Sequence, residues 1–103
     1  MDELVRDFFS GFIKIHILYH AAHGPIYGLE MIEELARHGY VLSPGTLYPT
    51  LHRLERAGYL RSEKRVVGGR VRRVYVITER GLQALETARA RIRELTGEVL
   101  SDG

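Results

Sequence analysis

The stretch Ser43–Leu60, SPGTLYPTLHRLERAGYL, decides the fold. Leu47, Leu51 and Leu54 recur at steps of four and three, the spacing of one buried helical stripe. Ser43 suits the N-cap, Pro44 the first helical position and Gly58 the C-cap. Yet the first turns hold Pro44, Gly45, Thr46, Pro49 and Thr50, where strong helix formers are the norm. Ser43, Pro44, Gly45 and Thr46 are all small, so the backbone can approach another surface closely. A capping box would place Glu at position 46. Thr46 leaves the first-turn N–H groups and the positive end of the helix dipole open to an anion. Pro49 falls near the end of the first turn or just beyond it, where its missing N–H would cost little if the helix started at Thr46, and a slightly irregular start is expected. Off the leucine stripe, Tyr48, His52, Arg53 and Arg56 carry groups that hydrogen-bond to bases or phosphates.

Working outward, Tyr27 to His38 reads as a preceding helix, with Leu29, Ile32, Leu35 and Ala36 inward and Glu30, Glu33 and Glu34 outward. Gly39 closes it, and only three residues separate that glycine from Ser43, which fits a helix-turn-helix. Asp2 to Ala22 reads as a longer first helix. Phe8, Phe12, Ile15, Tyr19 and Ala22 step along it by four and three, with Phe9 and Ile13 widening the apolar face. Gly24-Pro25 stops it.

Downstream, Gly58 to Ile77 reads as a β-hairpin with its turn at Val67-Gly68-Gly69-Arg70. Thr78 then caps a last helix that carries Glu79 in its first turn. In it Leu85, Ala88, Ile92, Leu95 and Val99 form a seam of about two heptads. The expected fold is mainly α with a two-stranded β wing: a winged helix-turn-helix plus a C-terminal dimerisation helix. Residues 1–77 make the DNA-binding part with its N-terminal helix, and residues 78–103 the dimerisation helix of the same compact domain.

Charge follows the same division. The chain of 103 residues has a net charge of only +2. Between Ser43 and Arg73, however, eight basic residues face only Glu55 and Glu63. The remainder holds seven basic and eleven acidic residues. A basic segment on an acidic body directs its field at a polyanion. Arg65, Arg70, Arg72 and Arg73 flank the Gly-Gly tip, where backbone can lie against a phosphate or enter a minor groove. There is no cysteine, no apolar run of about 18 residues and no export leader, which together point to a cytoplasmic protein that does not enter membranes.

The segment from Ile17 to Leu60 resembles the core of the PadR family of bacterial and archaeal transcriptional regulators. The elements IYG (26–28), SPGTLYPTLHRLE (43–55) and GYL (58–60) carry the resemblance. VYVIT (74–78), followed by RG, is similar to the family's strand-to-helix junction. Val74 departs from it, where an aromatic residue is common. The resemblance implies a repressor that binds operator DNA as a homodimer. It places Ser43, Gly45, Thr46, Tyr48, Pro49, His52 and Arg53 on the recognition helix, and Gly69 and Arg70 on the wing. The single terminal helix is that of the short subfamily, whose last helix dimerises. Phe8, Phe12, Leu85, Ile92, Leu95 and Val99 are the expected dimer contacts. Some short members bind flat aromatic compounds at the dimer centre, often against a tryptophan on the last helix. This chain has no tryptophan, and Phe9, Phe12 and Leu95 would supply the walls for a small aromatic effector.

Catalysis finds no support. No Ser/His/Asp set, paired-carboxylate site or nucleotide loop stands out, and Gly68-Gly69 lacks the Lys-Ser/Thr of a phosphate-binding loop. No cofactor is implied. Two alternatives remain: a metal sensor using His16, His20 and His23 on one helical face, and a winged helix serving protein contacts alone. No carboxylate lies beside those histidines in sequence, so no metal ligand is assigned.

Overall fold

Six elements follow one another in a computed structural model that describes residues 2–101: α1 (Glu3–His23), α2 (Gly28–Arg37), α3 (Pro44–Arg56), β1 (Leu60–Val67), β2 (Arg70–Ile77) and α4 (Glu79–Val99). The Asp2 carboxylate caps α1, accepting from Leu4 N at 2.8 Å and Val5 N at 3.3 Å. Only the second half of α1 enters the core, through Ile17, Leu18 and Ala21. The stripe of Phe8, Phe12 and Tyr19 lies on another side and stays substantially exposed.

In α2 the inward face is Gly28, Met31 and Leu35. This corrects the sequence expectation for two residues: Leu29 is 57% exposed and Ala36 is exposed. The helix is rotated so that its glycine, which contributes nothing to an apolar pattern, packs inward.

The leucine stripe of α3 is buried as expected, with Thr50 beside it. The helix begins at Pro44, which puts Pro49 inside it. There a proline removes the N–H that would reach the Gly45 carbonyl. Ser43 stands at the N-cap, but its hydroxyl caps no backbone N–H and faces Thr46 Oγ1 at 3.3 Å. Thr50 Oγ1 donates to the Thr46 carbonyl at 3.0 Å. The helix ends in a Schellman-like turn, Tyr59 N donating to the Leu54 carbonyl at 3.0 Å across Gly58 at φ 87°.

β1 and β2 pair antiparallel from Leu60↔Ile77 to Val67↔Arg70. Gly68 and Gly69, at φ 56° and 79°, make the two-residue turn, whose conformation needs positive φ at both positions. The base of the hairpin is anchored: Val74 and Tyr75 are fully buried, and Tyr75 exchanges two 2.9 Å backbone hydrogen bonds with Ile26 in the α1–α2 link. That third, one-residue strand was not visible in the sequence pattern.

Thr78 locks the hairpin to α4. Its Oγ1 accepts from Gly81 N at 3.1 Å and donates to the Gly58 carbonyl. Leu85 is buried among Ile17, Leu18, Leu47, Leu51 and Leu60 in the one core that joins all the helices. It therefore fills the chain's own core, not the outward seam expected of it. Past Ala88 every described residue of α4 is exposed, including Ile92, Leu95 and Val99. The distal half of α4 projects from the rest of the protomer, and the molecule as a whole measures 57 × 30 × 22 Å. Among the described residues, no helix is long and apolar enough to cross a membrane.

Candidate nucleic-acid interface

Burying Leu47, Leu51 and Leu54 turns the opposite face of α3 outward. Ser43, Gly45, Thr46, Tyr48, Pro49, His52, Arg53 and Arg56 are all exposed on it. Arg53 is partly tethered, its Nη2 donating to Thr50 Oγ1 at 3.4 Å.

The N-terminal half of this helix and the hairpin meet. Tyr48, Arg70, Arg72 and Arg73 line one open concavity of about 340 Å³, together with Tyr27, Gly28 and Leu29 from the start of α2. The sequence reading brought together α3 and the hairpin but missed the α2 residues. A signal was present: Tyr27 occupies the N-cap position and has no side-chain oxygen that can cap, and it makes no cap bond. The first N–H groups of α2 thus receive no cap from Tyr27, and the start of this helix, with the positive end of its dipole, lines the same concavity as the arginines.

Electrostatics separate the arginines. Across the hairpin Arg65 lies opposite Arg72, and Lys64 opposite Arg73. Like charges directly opposite destabilise a ladder. Glu63 offsets part of this, pairing with Arg65 at 2.6 Å and Arg61 at 3.6 Å, and the Arg65 hydrogen bond holds its carboxyl below the usual range. Arg73 Nη1 donates to Ser62 Oγ at 2.9 Å. Ser62 in turn donates through N and Oγ to Glu55 Oε2, at 3.1 and 2.5 Å, which ties the hairpin to the end of α3. Among the described residues, Arg56, Arg70 and Arg72 form no ion pair. Gly69 sits at the hairpin tip, free of neighbours around its Cα.

A second surface lies between α1 and α4. Phe12, Ile15, Tyr19, Leu85, Arg89 and Ile92, with three histidines, bound a mostly apolar cavity of about 360 Å³. Of the residues expected to wall an aromatic effector, Phe12 borders it, while Phe9 and Leu95 do not. Phe9 turns to Tyr40, their rings 6.0 Å apart. The histidines also differ from expectation. His16 and His20 gather with His38, and His23 leaves the group, its Nδ1 hydrogen-bonded with the Tyr19 carbonyl at 2.8 Å. Burial, then the neighbouring His38 and His20, hold the His16 imidazole below its ordinary pKa.

Comparison with known proteins agrees with this architecture. Residues 17–87 match the family model described as the transcriptional regulator PadR-like family. The chain is 53% identical over 96 residues to the transcriptional regulator Rv3488 of Mycobacterium tuberculosis, covering 93% of this chain and 90% of the relative. A crystal structure of a PadR family transcriptional regulator from Eggerthella lenta superposes with a TM-score of 0.78 at 31% identity, covering 97% of this chain and 91% of that one. A PadR-like transcriptional regulator from Bacillus cereus gives 0.79 at 25% identity, over 94% and 99% of the two chains. These relatives are regulators, not enzymes, as the sequence had implied. With a winged helix-turn-helix on the page and a family match running from the core of α1 into α4, the chain belongs to the PadR-like family of transcriptional regulators.

Proposed function

We propose that this regulator is a cytoplasmic repressor that binds an inverted-repeat operator as a homodimer. The observation that carries the reading is the shared concavity in which Tyr48 of α3, the start of α2 and Arg70, Arg72 and Arg73 of the hairpin converge. In it, α3 enters a major groove with Ser43, Gly45, Thr46 and Pro49 against the backbone, while Tyr48, His52 and Arg53 reach base edges. The hairpin follows the adjacent phosphates through Arg65, Gly69, Arg70 and Arg72. The uncapped N-terminus of α2 receives another phosphate.

Exposed apolar side chains on α1 and α4 support the homodimer. Phe8 and Phe12 on α1, and Ile92, Leu95 and Val99 on α4, are apolar, exposed and in helical register. A second copy that covers them by two-fold symmetry sets two α3 helices one DNA turn apart, ~34 Å. A small aromatic effector seated in the α1–α4 cavity would act by changing that separation.

Footprinting on the region upstream of the protein's own reading frame tests the reading. Protection of two half-sites about 10 base pairs apart is expected. Affinity should fall steeply between low and moderate salt, as for ~6 phosphate contacts. A flat salt response would favour the alternative of a winged helix that makes protein contacts only.

A further inference from the structure

The α1–α4 cavity has a polar corner that the DNA-binding reading leaves unused. His16 and His20 stand one turn apart on α1, and His38 reaches them from the C-cap of α2. One ring nitrogen from each lies within 4.8 Å of the others. The rings of His16 and His38 are 4.8 Å apart and tilted by 35°. His20 Nε2 is buried and has no hydrogen-bond partner. Glu34, from α2, places Oε1 3.6 Å from that nitrogen and 3.5 Å from His38 Nε2. Its other oxygen is held by Arg37.

These donors lie outside the apolar core, and Glu34 Oε1, at 3.6 Å, stands beyond hydrogen-bond distance of His20 Nε2. A buried imidazole nitrogen left unpaired costs free energy. Three imidazoles and a carboxylate are the ligand types of borderline divalent cations such as Zn²⁺, Co²⁺ and Ni²⁺, and not of Mg²⁺ or Ca²⁺, which take oxygen. With metal–nitrogen bonds of about 2.0–2.1 Å, tetrahedral donors stand roughly 3.3 Å apart. The present set, within 4.8 Å, must therefore tighten by up to about 1.5 Å. His38 can supply this, because its side chain is exposed and lies at the end of its helix.

We infer that His16, His20 and His38 bind one transition-metal dication per chain, with the Glu34 carboxylate beside it as fourth ligand or charge partner. The metal joins the middle of α1 to the C-terminal end of α2. It thereby stiffens the joint between the helix-turn-helix and the α1–α4 surface proposed to dimerise. The ligand set replaces the sequence expectation at one position: His38, 18 residues beyond His20 in the numbering, takes the place of His23.

Co²⁺ titrated into untagged full-length protein, followed by visible absorption, tests the site without any reliance on DNA. One equivalent should give the intense d–d bands of a four-coordinate site, and Zn²⁺ should displace it. His38→Ala changes an exposed residue and should abolish the bands, and His16→Ala should do the same. His23→Ala should leave them intact. In the unmutated protein, Zn²⁺ should move the ring NMR signals of His16, His20 and His38 and leave those of His23 and His52 in place. Absence of the bands, their persistence in His38→Ala, or their loss in His23→Ala would each overturn the assignment. If the bands appear but operator footprints do not, the metal site stands and the DNA reading fails.

Discussion

The Tyr48 ring lies over the Cα of Gly28: a Cβ built on that glycine would stand 2.5 Å from Tyr48 Cε1. The first residue of α2 is therefore the platform on which an outward side chain of α3 rests. Gly28→Ala must displace the ring. Tyr48 is 38% exposed and can swing toward solvent, so the stability loss should stay at about 1 kcal/mol, the low end for overpacking. Operator discrimination should change as in Tyr48→Ala. The double variant should add little to either single one, which binding measurements on an operator series would read as coupling.

Arg70 and Arg72 have no acidic partner among the described residues, and Arg72 faces Arg65 across the ladder. Replacing either with Ala should weaken DNA binding about equally on all sequences and lower the salt slope by ~1 per residue. Thermal stability should hold or rise slightly in Arg72→Ala, because a like-charge pair is relieved. A variant whose loss depends on operator sequence would assign that arginine to bases instead.

His52 is exposed on α3, one turn beyond Tyr48, and no intramolecular hydrogen bond or ion pair engages it among the described residues. If it reads a base, His52→Ala should cost roughly 1–3 kcal/mol on the best operator and much less on one altered at the contacted position. A uniform loss on every sequence would make it a phosphate contact.

Much of this was legible in the sequence because local signals agreed. The leucine stripe, Pro44 and Gly58 marked α3, and Gly68-Gly69 marked the hairpin tip. What remained hidden depends on tertiary approach. A glycine adds nothing to an apolar pattern, so the inward role of Gly28 was credited to Leu29. Leu85 shares its spacing with Ile92, Leu95 and Val99, yet periodicity does not say whether a stripe meets its own chain or a second copy. His38 joins His16 and His20 only because α2 folds back on α1, and the one-residue strand at Ile26 exists only because Tyr75 lies beside it.

Glu55 connects α3 to the hairpin by accepting from both the backbone and the hydroxyl of Ser62. Glu55→Ala removes both bonds and leaves the Ser62 N–H and hydroxyl hydrogen without this acceptor at a part-buried position, while Arg73 still donates to Ser62 Oγ, at a cost of about 1–3 kcal/mol. The hairpin should then sample more orientations relative to α3. Faster amide exchange is expected at Ser62 and Arg73, with little change at Tyr75, whose anchor is Ile26. Unchanged exchange at Ser62 would remove Glu55 from this role.

Leu85 and Leu95 distinguish folding from assembly on one helix. Leu85 is 5% exposed and Leu95 55%. Leu85→Ala opens a cavity in the chain's own core and should cost about 2–5 kcal/mol. Leu95→Glu touches nothing in the body of the protomer, yet it places a charge in the seam proposed to pack on a second copy. Sedimentation should show the parent protein as a dimer and Leu95→Glu as a monomer with most of its helix signal retained. Operator affinity should drop sharply, because two half-sites no longer bind as one event. If Leu95→Glu sediments like its parent, the distal half of α4 is not the clasp, and the spacing of the two α3 helices must be set elsewhere.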